Sequence, residues 1–145
     1  MEYKKIKKEN YTLHLINTNR FKLMNVVVFF TKKFEKKDIL YGNLLTKNLV
    51  YTSKKYNTKS KIAVVGEELY GARVSSSFNI IGNTSEFIFT LEFLNPKYTE
   101  RKYLKESLNY LYEILFNPNV ENNAFQKEYF DIQIKDITAQ VESIK

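Results

Sequence analysis

The chain has no cysteine, no tryptophan and a single histidine, with only two prolines and four glycines in 145 residues. Without cysteine there are no disulfides and no thiolate metal sites, and redox chemistry says nothing about compartment. No apolar run approaches the roughly 18 residues that a membrane span requires. The basic opening MEYKKIKKEN is never followed by the apolar segment of a signal peptide, so a cytoplasmic location is expected. The few glycines are scattered, which argues against a phosphate-cradling loop. Ser75-Ser76-Ser77 has no G-x-S-x-G elbow and no histidine placed by sequence to activate it. Small residues alternating along a strand account for it more simply.

What is present is charge and apolar pattern. Lysine and arginine number 23 against 16 acids, a net charge of +7. The cations are spread along the chain. Only MEYKKIKKEN and TKKFEKK are dense, and Glu35 interrupts the second. Helix-turn-helix, zinc-finger and RNP signatures are missing. Dispersed lysine marks a solvated surface, and a basic nucleic-acid-binding domain ranks behind the readings below.

Tyr11 to Asn17, YTLHLIN, alternates and reads as a strand, and Met24 to Phe30, MNVVVFF, as a strand buried on both faces. The turn residues of INTNRFK between them predict a hairpin. Asp38 is placed to cap a helix carrying Leu40, Leu44, Leu45 and Leu49 on one stripe. A second helix from about Ser60 aligns Ile62, Val65 and Leu69, and Gly71 suits its left-handed C′ position. Strands Arg73 to Ile81 and Glu86 to Phe93 follow, joined by GNTS. A helix from Glu100 to Phe116 carries Leu104, Leu108, Leu111 and Leu115, and Asn117-Pro118 stops it. A last helix from Ala124 carries Ile134, Ile137, Val141 and Ile144. The order β-β-α-α-β-β-α-α predicts an α+β domain, an antiparallel sheet with helices packed on one face. The last helix is still periodic where the chain stops, so residues 1–145 read as a single-domain excerpt of a longer protein.

Several segments in this order carry a resemblance: the helix running into SKKYN, then EELYGARVSSSFN, EFIFTLEF and LFNPNVENNAF. From about Tyr11 onward the chain resembles the N-terminal domain of the pitrilysin/insulinase family of zinc peptidases. It is most similar to bacterial members lacking the metal motif. The resemblance implies a fold like the pitrilysin and mitochondrial-processing-peptidase domain. Active members carry H-x-x-E-H on the first helix, where two histidines ligate zinc and the glutamate activates water. A glutamate on the last helix completes the site.

With SKKYN set on the family's turn, those five positions fall on Asn43-Leu44-Leu45-Thr46-Lys47. Asn43, Thr46 and Lys47 therefore stand where ligands and base would be, and the motif is degenerate. The distal ligand falls near Ala139 or Gln140, with Glu142 the nearest carboxylate. His14, alone on a predicted strand, reads as a packed or surface residue. No metal, no cofactor and no hydrolysis by this chain itself are expected. Lys47 reads as a solvent-facing lysine. The competing reading puts its ammonium in the vacated pocket, paired with an acid such as Glu142.

The resemblance implies a non-catalytic subunit that helps form a substrate chamber with a catalytic partner retaining H-x-x-E-H. It also implies capture of extended peptide or unfolded polypeptide by β-augmentation. The corresponding strand is Ala72, Arg73, Val74, Ser75, Ser76 and Ser77, and Arg73→Pro is expected to delete an outward donor there. A structural scaffold that binds a protein partner, with no peptide substrate, is the alternative.

Overall fold

The computed structural model describes residues 1–143. Their strands are β1 (Glu2–Lys7), β2 (Thr12–Asn17), β3 (Leu23–Lys33), β4 (Arg73–Ile81) and β5 (Thr84–Leu94), with the short pair β6 (Val120–Glu121) and β7 (Ala124–Phe125). The helices are α1 (Asp38–Tyr51), α2 (Lys59–Glu68), α3 (Leu104–Phe116) and α4 (Lys127–Glu142). The α+β class and the antiparallel pairing are as expected. Ile144 lies outside the described residues.

Strand β5 organises the body. It lies between β3 and β4, antiparallel to both. Its alternation sends Ser85, Phe89, Leu91 and Phe93 into the core, where they meet Leu69, Tyr103, Tyr110, Leu111 and Ile114 from the helical side. Leu23, Val27 and Phe29 of β3 point to the opposite face and are exposed. The helices thus cover one face of the sheet.

The predicted β2–β3 hairpin does not form. β2 pairs instead with the basic N-terminal segment, now β1, in a separate two-stranded sheet whose faces are largely exposed. Charge density had masked the strand pattern of EYKKIK. β3, apolar on both faces, pairs with β5 over eleven residues. The β4–β5 turn is also tighter than GNTS suggests. It is Gly82-Asn83 alone, with Gly82 at φ 58, the positive φ that the first central residue of a type II′ turn demands. Ser85 consequently belongs to the strand and is buried.

Helix α1 departs from the single leucine stripe. Leu40 is 52% exposed, while Gly42, Leu44, Thr46 and Asn48 are buried. At about 100° per residue, Gly42 and Thr46 lie on one side and Leu44 and Asn48 on nearly the opposite one. The helix packs against β4 and β5 with the first side and against α4 as well. A helix covered from two directions has no one apolar stripe. Its sheet side uses small residues because the approach is close: a Cβ on Gly42 would run into the ring of Phe78. Asp38 is the first helical residue and caps nothing. It accepts instead from Lys32 Nζ (2.9 Å), the Glu35 N–H (2.9 Å) and Ser85 Oγ (2.8 Å).

The other helices fare variously. Ile62, Val65 and Leu69 of the α2 segment meet the core as expected, with Thr58 as N-cap through the Lys61 N–H at 3.2 Å. The left-handed turn after α2 starts at Tyr70 (φ 57), whose ring packs on Tyr103, and continues through Gly71 (φ 78). In α3, Leu111 and Leu115 are buried but Leu104 and Leu108 are exposed, and Tyr110 and Ile114 take the inner positions. α4 begins at Lys127, because Asn122 and Asn123 adopt positive φ and close the β6–β7 turn.

Candidate functional site

Two of the motif segments meet at the end of α1. The turn SKKYN is held by Glu113 of α3, which accepts from Ser53 Oγ (3.0 Å) and the Lys55 N–H (2.8 Å). Ser53 also bridges to Pro118, and the Lys54 N–H donates to the Asn117 carbonyl at 2.8 Å. Burial pushes the Glu113 carboxyl up, but the Lys55 N–H, Asn117 amide and Ser53 hydroxyl outweigh it and hold it below the ordinary carboxylate value. This clamp fixes where α1 ends, and therefore where Asn43, Thr46 and Lys47 stand. Sequence reasoning missed Glu113, which sits in an ordinary helical pattern.

The three positions have unlike environments. Thr46 is 2% exposed, and its hydroxyl donates back to the Gly42 carbonyl at 2.9 Å. Asn43 donates to the Ile39 carbonyl at 2.7 Å, leaving its backbone-facing amide occupied. Lys47 is half-buried and donates to Gln140 Oε1 on α4 at 3.2 Å. That contact is solvent-exposed. Among the described residues its partner is Gln140, one of the two positions expected for the distal ligand, and not Glu142. The contact joins α1 to α4.

Asn43 and Lys47 project from the flank of α1 opposite to Leu45 and Leu49, which line an apolar groove near β3. They therefore lie toward the open side of β4. That strand is an edge of the three-stranded sheet. The link is direct, since Ser76 Oγ donates to the Thr46 carbonyl at 3.0 Å.

Hydrogen bonds at the ends of the β3–β5 ladder decide which β4 amides are free. The Phe34 N–H donates to the Asn83 carbonyl (3.0 Å) and the Asn95 N–H to the Lys22 carbonyl (2.8 Å). Both continue the ladder's register, so even-numbered β3 residues bond odd-numbered β5 residues. Even-numbered β5 residues then face β4, where their partners are Arg73, Ser75, Ser77 and Asn79. The outward amides belong to Val74, Ser76, Phe78 and Ile80. Ala72 has the same sense, but its N–H already donates to the Gly66 carbonyl at 2.9 Å. Within Ala72 to Ser77, then, Val74 and Ser76 present donors with no partner among the described residues, while Arg73, Ser75 and Ser77 bond inward. Arg73→Pro would damage the sheet itself, whereas Ser76→Pro spares the β4–β5 ladder and removes one outward donor together with the Ser76 hydroxyl's bond to the Thr46 carbonyl.

His14 stands elsewhere, on the β1–β2 hairpin, with Nδ1 2.7 Å from the Tyr3 hydroxyl and the two rings stacked. Among the described residues there is no group of three or more His, Cys, Asp or Glu placed to hold a metal. Nor is any described helix long and apolar enough to cross a membrane.

No protein-family model matches the chain. It is 25% identical over 142 residues to the "Probable inactive metalloprotease YmfF" of Bacillus subtilis (strain 168), covering 97% of this chain and 33% of that protein. It superposes on a crystal structure of a conserved protein from Enterococcus faecalis V583 with a TM-score of 0.86 and 28% identity. That match covers 92% of this chain and 32% of the other. The chain thus spans about a third of the length of both relatives. The first similarity is to a metallopeptidase-like protein described as inactive.

Proposed function

We propose that this chain is a non-catalytic, pitrilysin-like domain of a cytoplasmic assembly. It captures extended polypeptide along the open edge of β4 while a companion retaining H-x-x-E-H supplies the chemistry, the two together enclosing a chamber. One observation carries the reading. The outward amides of Val74, Ser76 and Phe78 run beside the flank of α1 that carries Asn43 and Lys47, with Thr46 buried against β4. An edge strand of this kind offers unpaired donors and acceptors at alternate residues, which an extended chain satisfies by adding as a further strand. Similarity to a protein described as a probable inactive metalloprotease supports the non-catalytic part.

Hydrogen exchange on the intact protein, with and without the companion and an extended peptide, tests this. Peptide addition is expected to slow exchange about tenfold at Val74, Ser76 and Phe78 and to leave Ser75 and Ser77 unchanged. Ser76→Pro is expected to abolish that protection. Protection that never reaches β4 overturns the proposal.

The scaffold reading draws on a different observation. An apolar groove of about 410 Å³, lined by Phe30, Leu45, Leu49, Phe89, Leu115 and Phe116, opens beside β3. Apolar surface of this kind suits a protein partner. Protection at β3 instead of β4 would favour it.

A further inference from the structure

Among the described residues the ammonium of Lys47 has one hydrogen-bond partner, the neutral amide oxygen of Gln140 at 3.2 Å. Among the described residues no carboxylate lies within salt-bridge distance of it. Glu142, two residues beyond Gln140, is exposed and does not reach it. The contact with Gln140 is solvent-exposed and directs the ammonium toward α4. Lys47 is half-buried between α1 and α4, on the flank of α1 that faces the open side of β4, directly after Thr46, whose carbonyl receives Ser76 Oγ. An amide oxygen satisfies one of the three ammonium donors and none of its charge. The remaining donors suit an anion, and a charge-assisted bond to a carboxylate is about twice as strong as a neutral one.

We propose that Lys47, steadied by Gln140, is an anion subsite for the captured polypeptide. It selects strands bearing a carboxylate on the side chain that turns toward α1 as the strand passes Ser76. The subsite rests on the β4-edge reading and narrows it: the substrate class is an extended segment with an acidic residue in register with Lys47. A side chain on the helix-facing side of an added strand recurs at every second residue, so one register places an acid there and a one-residue slip removes it. Capture then has a preferred register as well as a preferred composition.

The test uses the intact protein and two labelled nonapeptides of alternating valine and threonine, one with a central glutamate and one with glutamine there. Fluorescence anisotropy measures affinity, and hydrogen exchange at Val74 and Ser76 reports edge pairing. The glutamate peptide is expected to bind about tenfold more tightly, with the advantage shrinking as salt rises. Lys47→Met is expected to erase the advantage while edge protection by either peptide persists, and Lys47→Arg to keep it. If both peptides protect β4 equally and Lys47→Met changes nothing, the subsite is wrong while edge capture stands. If neither peptide protects β4, both readings fail together.

Discussion

The hydroxyl of Ser85 on β5 donates to Asp38 Oδ2 on α1 at 2.8 Å, with both residues buried. Lys32 Nζ of β3 reaches Oδ1 of the same carboxylate at 2.9 Å, so one acid ties α1 to two strands. The lysine bond, with the Glu35 N–H and Ser85 hydroxyl and against the cost of burial, lowers the Asp38 carboxyl from 3.8 to about 2. A depressed carboxyl pKa contributes stability that is fully present above the unfolded-state value. The contribution is lost as pH falls from about 4 to 2. Thermal unfolding between pH 7 and pH 2 should show this loss in the wild type. Asp38→Asn should be less stable at pH 7 and flatter across the acid window. Equal acid sensitivity in the two proteins would remove Asp38 from the explanation.

Gly42 sits where α1 crosses β4, with the ring of Phe78 in the space a Cβ would take. Helix propensity favours alanine there by roughly 1 kcal/mol. Overpacking at a close contact costs about 1–3 kcal/mol, so packing should win. Gly42→Ala is expected to lower stability in urea unfolding. Gly42→Ala with Phe78→Leu should recover part of the loss by making room. A stabilised Gly42→Ala would mean that the helix shifts freely over the sheet.

The same contact explains what was legible in the sequence. Runs with one environment could be read directly: EFIFTLEF as the buried strand, and Ile62, Val65 and Leu69 as the core face of the α2 segment. α1 could not, because it is covered from two sides and uses Gly42, Thr46 and Asn48 for contacts that pattern rules assign to leucine. β1 was hidden by its lysines, since hairpin pairing without burial leaves no apolar signature. The open strand edge of the candidate site followed from the resemblance. Which of its amides are free depends on ladder phase, and the Lys47–Gln140 contact spans 93 residues of sequence. Neither property is local.

β3 leaves a second edge open, and it is the more hazardous one. By the ladder phase its outward amides belong to Asn25, Val27, Phe29 and Thr31, and Phe29 is 58% exposed. A long, apolar, unpaired edge is a template for association. Light scattering on the 145-residue chain is expected to show concentration-dependent self-association. Phe29→Lys should reduce it without lowering the unfolding midpoint, because that side chain packs little. A monodisperse wild-type chain at high concentration would show that the edge is covered.

Introducing a metal site tests whether α1 and α4 are placed to hold one between them. Lys47 Nζ and Gln140 Oε1 are 3.2 Å apart, so side chains at these positions converge, and Asn43 lies one helical turn before Lys47 on the same flank. Two imidazoles at i and i+4 with one carboxylate opposite form a zinc ligand set. Asn43→His, Lys47→His and Gln140→Glu together are expected to retain one zinc per chain after dialysis, by elemental analysis. The same protein without Gln140→Glu should lose its zinc, since two imidazoles alone hold the ion poorly. Adding Thr46→Glu should reduce stability, because Thr46 is 2% exposed and a carboxylate there enters packed space beside β4. Zinc held equally well without the glutamate would place the third ligand elsewhere. No zinc in the full variant would mean that α1 and α4 do not present these three side chains to one point.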